Sequence, residues 1–276
     1  MNLSARAWTL LRNLIARFRE DDVPSLGAQL SYYLILSFFP FLIFVLSLLG
    51  YARLSQDDLM DMLLKLLPSD TGESVRGIVE EVTSNRSGTL LSFGLLGSIW
   101  TASGGVNAMI KGLNKAYDEE ENRPFWKVRG LALASTLVLA AVILVSMVLL
   151  VFGKTIEEHA FEKLGVPDNW WKTWNVVQFT VPVLALFLVF LLLYRMTPNR
   201  RLTWREVMPG SVFASAGWIV SSLFFSFYVN NFGHYSKTYG SVGGIIVLLI
   251  WLYITSIIVL LGGELNAALV EKRERR

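Results

Sequence analysis

The chain has 276 residues, of which 53% are hydrophobic and only 17% charged, with a mean hydropathy of +0.48. A soluble domain carries about a quarter charged residues, so this balance indicates a membrane protein. The net charge of +3 is modest and by itself identifies no nucleic-acid partner, and the absence of cysteine excludes disulfides, thiolate metal sites and cysteine catalysis.

In chain order, ARAWTLLRNLIARFRE at 5–20 comes first, and residues 1–20 are expected to form an interfacial helix. It places Trp8, Leu11, Ile15 and Phe18 on one face, with Arg6, Arg12, Arg17 and Arg19 on the polar side. That pattern predicts a helix lying on an anionic lipid surface. Six apolar runs follow, near 30–51, 89–110, 131–153, 176–195, 208–229 and 242–264. Each is long enough for a bilayer, which needs about 20 helical residues. The fold class is therefore an all-α polytopic membrane protein with six transmembrane helices, in a single membrane domain spanning 1–276. The first run starts late, is too long, and lacks the small-x-small site of a cleaved signal peptide. Between the first two spans, the outer segment 52–88 reads as two short amphipathic helices broken at Pro68.

The cations orient the chain. The N-terminal segment, 111–130, 195–207 and the tail together carry 17 of the 25 Lys and Arg residues, against 8 in the loops of the other side. Lys and Arg favour cytoplasmic loops, so both termini are expected inside. Trp170, Trp171 and Trp174 at the outer entrance of the fourth span, and Trp126 and Trp204 at inner ends, fit interfacial belts.

Polar residues in hydrocarbon face protein or water, so their stripes carry the functional signal. On the first span, Gln29, Tyr33, Ser37, Pro40 and Ser47 lie within roughly one face, and Pro40 removes a backbone donor and is expected to kink the helix. On the second span, Trp100, Ser103, Asn107, Lys111 and Asn114 are expected to share a face. Gly104 and Gly105 of that span are candidate hinges. Ser211, Ser215, Trp218, Ser222 and Ser226 line the fifth, a pattern that small-residue packing explains well. On the sixth, Tyr253 and Glu264 are nearly eclipsed. Gln29, Tyr33, Asn107, Lys111, Glu264 and Asn266 fall at one depth, and with Tyr253 they form the candidate polar pathway or cluster, with Lys111 as the expected cation for Glu264. Eight residues, about 12 Å of helix, separate Glu264 from the first tail cation, which sets it near the inner hydrocarbon edge. Lys237, Tyr239, Gly240, Gly243 and Gly244 form an outer glycine turn before the sixth span, read as a tight turn in preference to an anion site.

Three stretches, AQLSYYLILSFFPFLIF at 28–44, NAMIKGLNKAYDEEENRPFW at 107–126 and YGSVGGIIVLLIWLYITSIIVLLGGELNA at 239–267, resemble the YihY/BrkB family, historically labelled ribonuclease BN. The resemblance implies a six-helix protein of the bacterial cytoplasmic (inner) membrane with both ends inside. It carries over no catalytic residue, cofactor or metal.

Nuclease chemistry needs clustered metal ligands or paired histidines. The two histidines, His159 and His234, are expected in outer loops, and the acidic run at 118–121 reads as a solvated loop. An intramembrane protease would need a base beside Ser103 of TASGG, and Lys111 is about two turns away, out of hydrogen-bond range. No enzyme activity is expected. The remaining readings are a transporter or lipid-handling permease, with membrane lipid and a small-molecule or lipid substrate as partners, and a scaffolding envelope protein whose exposed small-residue face binds a second copy.

Overall fold

The computed structural model describes residues 3–51, 88–164, 170–232 and 242–274. Among the described residues the regular structure is entirely helical. The helices are α1 (Leu3–Glu20), α2 (Val23–Tyr51), α3 (Gly88–Ala116), α4 (Phe125–Leu164), α5 (Trp170–Met196), α6 (Trp204–Phe232) and α7 (Val242–Glu274). The amphipathic pair expected within 52–88 lies almost wholly outside the described residues, as do Lys237, Tyr239 and Gly240.

Among the described residues, four helices are long and apolar enough to cross a membrane, over Phe125–Ser146, Val176–Met196, Trp204–Val229 and Gly243–Glu274. Their outward faces carry large apolar side chains: Val176, Phe179, Leu223 and Phe224 are all exposed. Such surface is costly in water and suited to lipid. The expected first two spans coincide with α2 and α3, each a 29-residue helix.

Local chemistry sets the helix ends. Asp118 follows α3 with φ 54°, and the Glu119 amide donates to the Asn114 carbonyl at 2.9 Å. This six-to-one bond with a left-handed residue is a Schellman ending, filled by Asp where glycine is commoner. Asp22, with φ 55°, makes the sharp turn between α1 and α2. α6 starts with a capping box, in which the Thr203 amide donates to Glu206 Oε2 at 2.8 Å. Two sequence expectations change here. His159, expected in an outer loop, lies in a helix, because α4 continues to Leu164. Gly243 and Gly244 lie inside the first turn of α7, not in a loop, and a Cβ at Gly244 would meet nothing within 4 Å.

The chain divides into two compact units. One comprises 24–108 and 220–257. Its α2–α3 contact runs over glycines: a Cβ on Gly94 would lie 2.7 Å from the Phe44 amide nitrogen, and one on Gly104 would lie 2.6 Å from the Tyr33 ring. Gly105 packs on Leu30 in the same way. Gly104 and Gly105, expected as hinges, are therefore contact surfaces that admit a neighbouring helix. Pro40 lies inside α2 as expected, with its ring against Gly97.

The other unit comprises 1–23, 109–219 and 258–276. Its core gathers Met109, Leu113 and Tyr117 of the α3 end, Val189, Phe190 and Tyr194 of α5, Val207 and Ala214 of α6, and Val259, Ala267 and Val270 of α7. The candidate site lies in this unit.

Candidate functional site

The site is built on the GGELNA segment, 262–267, whose residues face different partners. Gly262 and Gly210 bring the α7 and α6 backbones into contact; a Cβ on Gly210 would lie 2.0 Å from the Gly262 carbonyl oxygen. Gly262 also sits under the Tyr194 hydroxyl, which donates to the Val259 carbonyl at 2.6 Å. Gly263 faces Leu113, whose Cδ2 would be 2.1 Å from an added Cβ. Asn266 is fully buried and bonds the α6 backbone twice, accepting from the Gly210 amide at 2.6 Å and donating to the Val207 carbonyl at 3.2 Å. Pro209 lies one residue before that amide, so the side-chain amide of Asn266 supports a helix turn that proline has weakened.

Glu264, only 2% exposed, takes the remaining direction. Its cation is Arg17, with Nη1 3.4 Å from Glu264 Oε2. Lys111, the expected partner, is exposed. The sequence misassigned the pair because Arg17 is 247 residues away and lies on an amphipathic helix whose arginines all read as surface-facing. In the structure Arg17 turns inward: its Nη1 also donates to the Ala116 carbonyl at 2.9 Å and lies 4.0 Å from Asp21 Oδ2, while Nη2 reaches Glu271 Oε2 at 2.6 Å. One guanidinium thus serves three carboxylates and caps the end of α3. Burial opposes the charge on Arg17, but the bonds to Glu271 and Glu264 outweigh it and raise its pKa. Burial raises the pKa of Asp21, against the pull of Arg17. Asp21 and Glu264 thus approach the same nitrogen of Arg17, Nη1. Sequence reading missed Asp21 and Glu271; the only signal was the Arg17–Asp21 spacing of four on a helix.

Beside this clasp opens a groove of about 610 Å³. Thr9, Asn13, Glu20, Asp118 and Lys272 line it together with Arg17, Asp21 and Glu271. Tyr117, immediately before Asp118, is buried, and its hydroxyl has no hydrogen-bond partner among the described residues. Burial pushes that phenol's pKa far up.

A second polar network closes the same unit. Asn114 donates to Glu121 Oε2 at 2.8 Å and accepts from the Asn199 amide at 2.7 Å. Arg123 holds Glu121 through two nitrogens and donates to the Thr197 carbonyl at 2.8 Å. The hydrogen bonds from the Arg123 side chain hold the Glu121 carboxyl down, at a pKa of about 2. Arg200 pairs with Glu274 and, at 3.8 Å, with Glu119. The acidic run 118–121 is thus not a merely solvated loop: two of its glutamates tie the α3–α4 connection to the α5–α6 connection and to the end of α7.

The expected polar grouping divides. Gln29, Tyr33, Asn107 and Tyr253 belong to the unit 24–108/220–257, where all four are half-buried, and Lys111, Glu264 and Asn266 belong to the other. The stripe expected on α3 is also two faces. Trp100 and Lys111 are exposed while Ser103 and Asn114 are buried, as two pairs set about 60° apart round the helix. Ser103 donates its hydroxyl to the Trp100 carbonyl at 2.7 Å. On α6, Ser211 and Ser215 are buried and bond carbonyls one turn back, as packing serines do. Among the described residues, no group of three or more His, Cys, Asp and Glu side chains is arranged to hold a metal ion.

Long apolar helices with lipid-suited outer faces and polar groups turned inward define a polytopic α-helical membrane protein. Residues 14–276 match the family described as Virulence factor BrkB. The chain is 44% identical over 97% of its length to the "Putative ribonuclease-like protein YfkH" of Bacillus subtilis, covering 97% of that protein. It is 25% identical over 95% of its length to a UPF0761 membrane protein of Pseudoalteromonas atlantica, covering 87% of it, and 28% identical over 94% to one of Vibrio campbellii, covering 81%. No solved structure matches the chain. The protein belongs to the BrkB family of membrane proteins.

Proposed function

We propose that the protein is a six-span permease of the bacterial cytoplasmic membrane, moving a small solute or a lipid, with both termini inside and α1 lying along the inner membrane surface. The observation that carries the reading is the buried Glu264 at the end of an apolar helix, held by Arg17 and bordered by Asp21 beside an open groove. A carboxylate buried in a membrane bundle costs several kcal/mol of desolvation, and packed apolar side chains would hold helices together as well or better. Its retention beside a polar groove fits a pathway more naturally than a structural peg. Exposure of Trp8, Leu11 and Ile15 on α1 supports the surface placement of that helix.

The scaffolding alternative has its own support in the Gly210–Gly262 backbone contact, a tightly packed surface. Neither reading involves enzymatic chemistry, a cofactor or a nucleic-acid substrate; the ribonuclease word in the Bacillus relative's name describes that protein. Proteoliposomes containing the wild type, Glu264→Gln or Arg17→Met would be assayed for solute flux and for scrambling of fluorescent lipids. The permease reading expects transport by the wild type and a loss of at least about tenfold in each variant, the effect of roughly 1.4 kcal/mol. A wild type that moves neither lipid nor solute refutes it in favour of the scaffold.

A further inference from the structure

We propose that the Arg17 clasp is a proton-binding site, in which Asp21 and Glu264 hold one proton between them, and that this proton is the coupling ion of the permease; the coupling role rests on the transport reading above. The argument begins with charge. Arg17 places one positive charge against Asp21 at 4.0 Å, Glu264 at 3.4 Å and Glu271 at 2.6 Å. Asp21 and Glu264 both approach the same nitrogen, Nη1, whereas Glu271 has Nη2 to itself. Two carboxylates crowded on one donor repel each other, and the usual resolution is a shared proton, as in carboxylate dyads. Both carboxylates lie against the one nitrogen, Nη1, at 4.0 and 3.4 Å, and a proton held between them removes their mutual repulsion.

Among the described residues, the other charged groups around the clasp are of mixed sign. Facing Asp21 from α3 are Lys115, which is exposed, and Asp118, which opposes it. From α7 come Glu271 and Lys272, and from α1 Glu20, all lining the groove. Tyr117 faces the cluster with a buried hydroxyl that has no hydrogen-bond partner among the described residues. Access is built in, because Asp21 lines the groove while Glu264 is sealed behind it. A proton entering at Asp21 passes on to Glu264 as the Asp21 O–H bond breaks and the Glu264 O–H bond forms, with Arg17 beside both as the fixed counter-charge.

Infrared difference spectra of the full-length chain in lipid nanodiscs test the site without reference to transport. Spectra are taken in light and heavy water between mildly acidic and mildly alkaline buffer. The wild type is expected to show the carbonyl band of a protonated carboxyl, shifted in heavy water, and Asp21→Asn and Glu264→Gln are each expected to lose it. Asp21→Asn lies outside the spans and keeps the shape of the side chain, so it reports even if Glu264→Gln fails to assemble; the melting temperature of each variant identifies such a failure. Absence of the band from the wild type overturns the site. Persistence in Asp21→Asn at full intensity overturns the sharing, because the proton then belongs to Glu264 alone. A wild type with the band but without flux refutes the coupling role and the permease while the proton site stands; flux without the band does the reverse.

Discussion

Replacing Gly210 by alanine is a severe test of the account of GGELNA, because the substitution adds a single methyl group. In the helix interior alanine is ordinarily the better residue, by about 1 kcal/mol. At Gly210 the new Cβ would lie 2.0 Å from the Gly262 carbonyl oxygen and 2.4 Å from Asn266 Nδ2. An ordinary carbon–oxygen contact is about 3.3 Å, so α6 and α7 must part by more than about 1 Å. Overpacking of this kind costs about 1–3 kcal/mol. The same displacement strains both Asn266 bonds, and a buried amide left unsatisfied adds about 1–3 kcal/mol. With the propensity gain set against these terms, the expected loss is about 1–5 kcal/mol, read as a melting temperature lower by roughly 10 °C at the middle of that range in detergent micelles. Gly130→Ala is the matched control: it too is helical, but nothing lies within 4 Å of its added Cβ, so it should melt at or slightly above the wild type. If the two variants melt alike, the close α6–α7 approach is wrong and the Asn266 argument falls with it.

Tyr194→Phe removes the hydroxyl that meets Gly262, at a cost of about 1 kcal/mol for the lost bond to the Val259 carbonyl. Because that hydroxyl would lie 2.3 Å from a Cβ on Gly262, Gly262→Ala should cost less in the Tyr194→Phe background, with a coupling of about 0.5–3 kcal/mol; additive melting shifts would show that the two do not touch. Glu121 tests the loop network through pH. Its folded pKa is depressed to about 2, so its stabilising contribution is present above the ordinary carboxylate value of 4.5 and is lost as pH falls toward 2. Glu121→Gln should therefore lower stability at neutral pH and flatten the acid limb of the melting profile, and an unchanged limb would mean that Arg123 does not hold the carboxylate.

The sequence by itself determined the class of the protein and the position of its helices. Apolar length is a local property, and a run such as 242–264 has few alternatives to a helix in a setting where every backbone group must be bonded internally. It also marked Glu264 and Asn266, because a carboxylate and an amide beside two glycines are out of place at the end of such a run. Their partners were not legible. The depth argument ranked cations by height in the bilayer and chose Lys111, but height says nothing about which face of a helix a residue occupies, and Lys111 lies on the exposed face of α3. Arg17 belongs to an amphipathic helix whose periodicity cannot distinguish an arginine facing water from one folded back onto the bundle. The acidic loop failed in the same way: Glu119 and Glu121 read as solvated, whereas Arg200 of the α5–α6 connection pairs with Glu119 and Arg123 holds Glu121. Glycines were the least legible of all. Gly104, Gly210, Gly262 and Gly263 are helical residues with no conformational need for glycine, and only the neighbouring helix, which would collide with any side chain there, shows why they lack one.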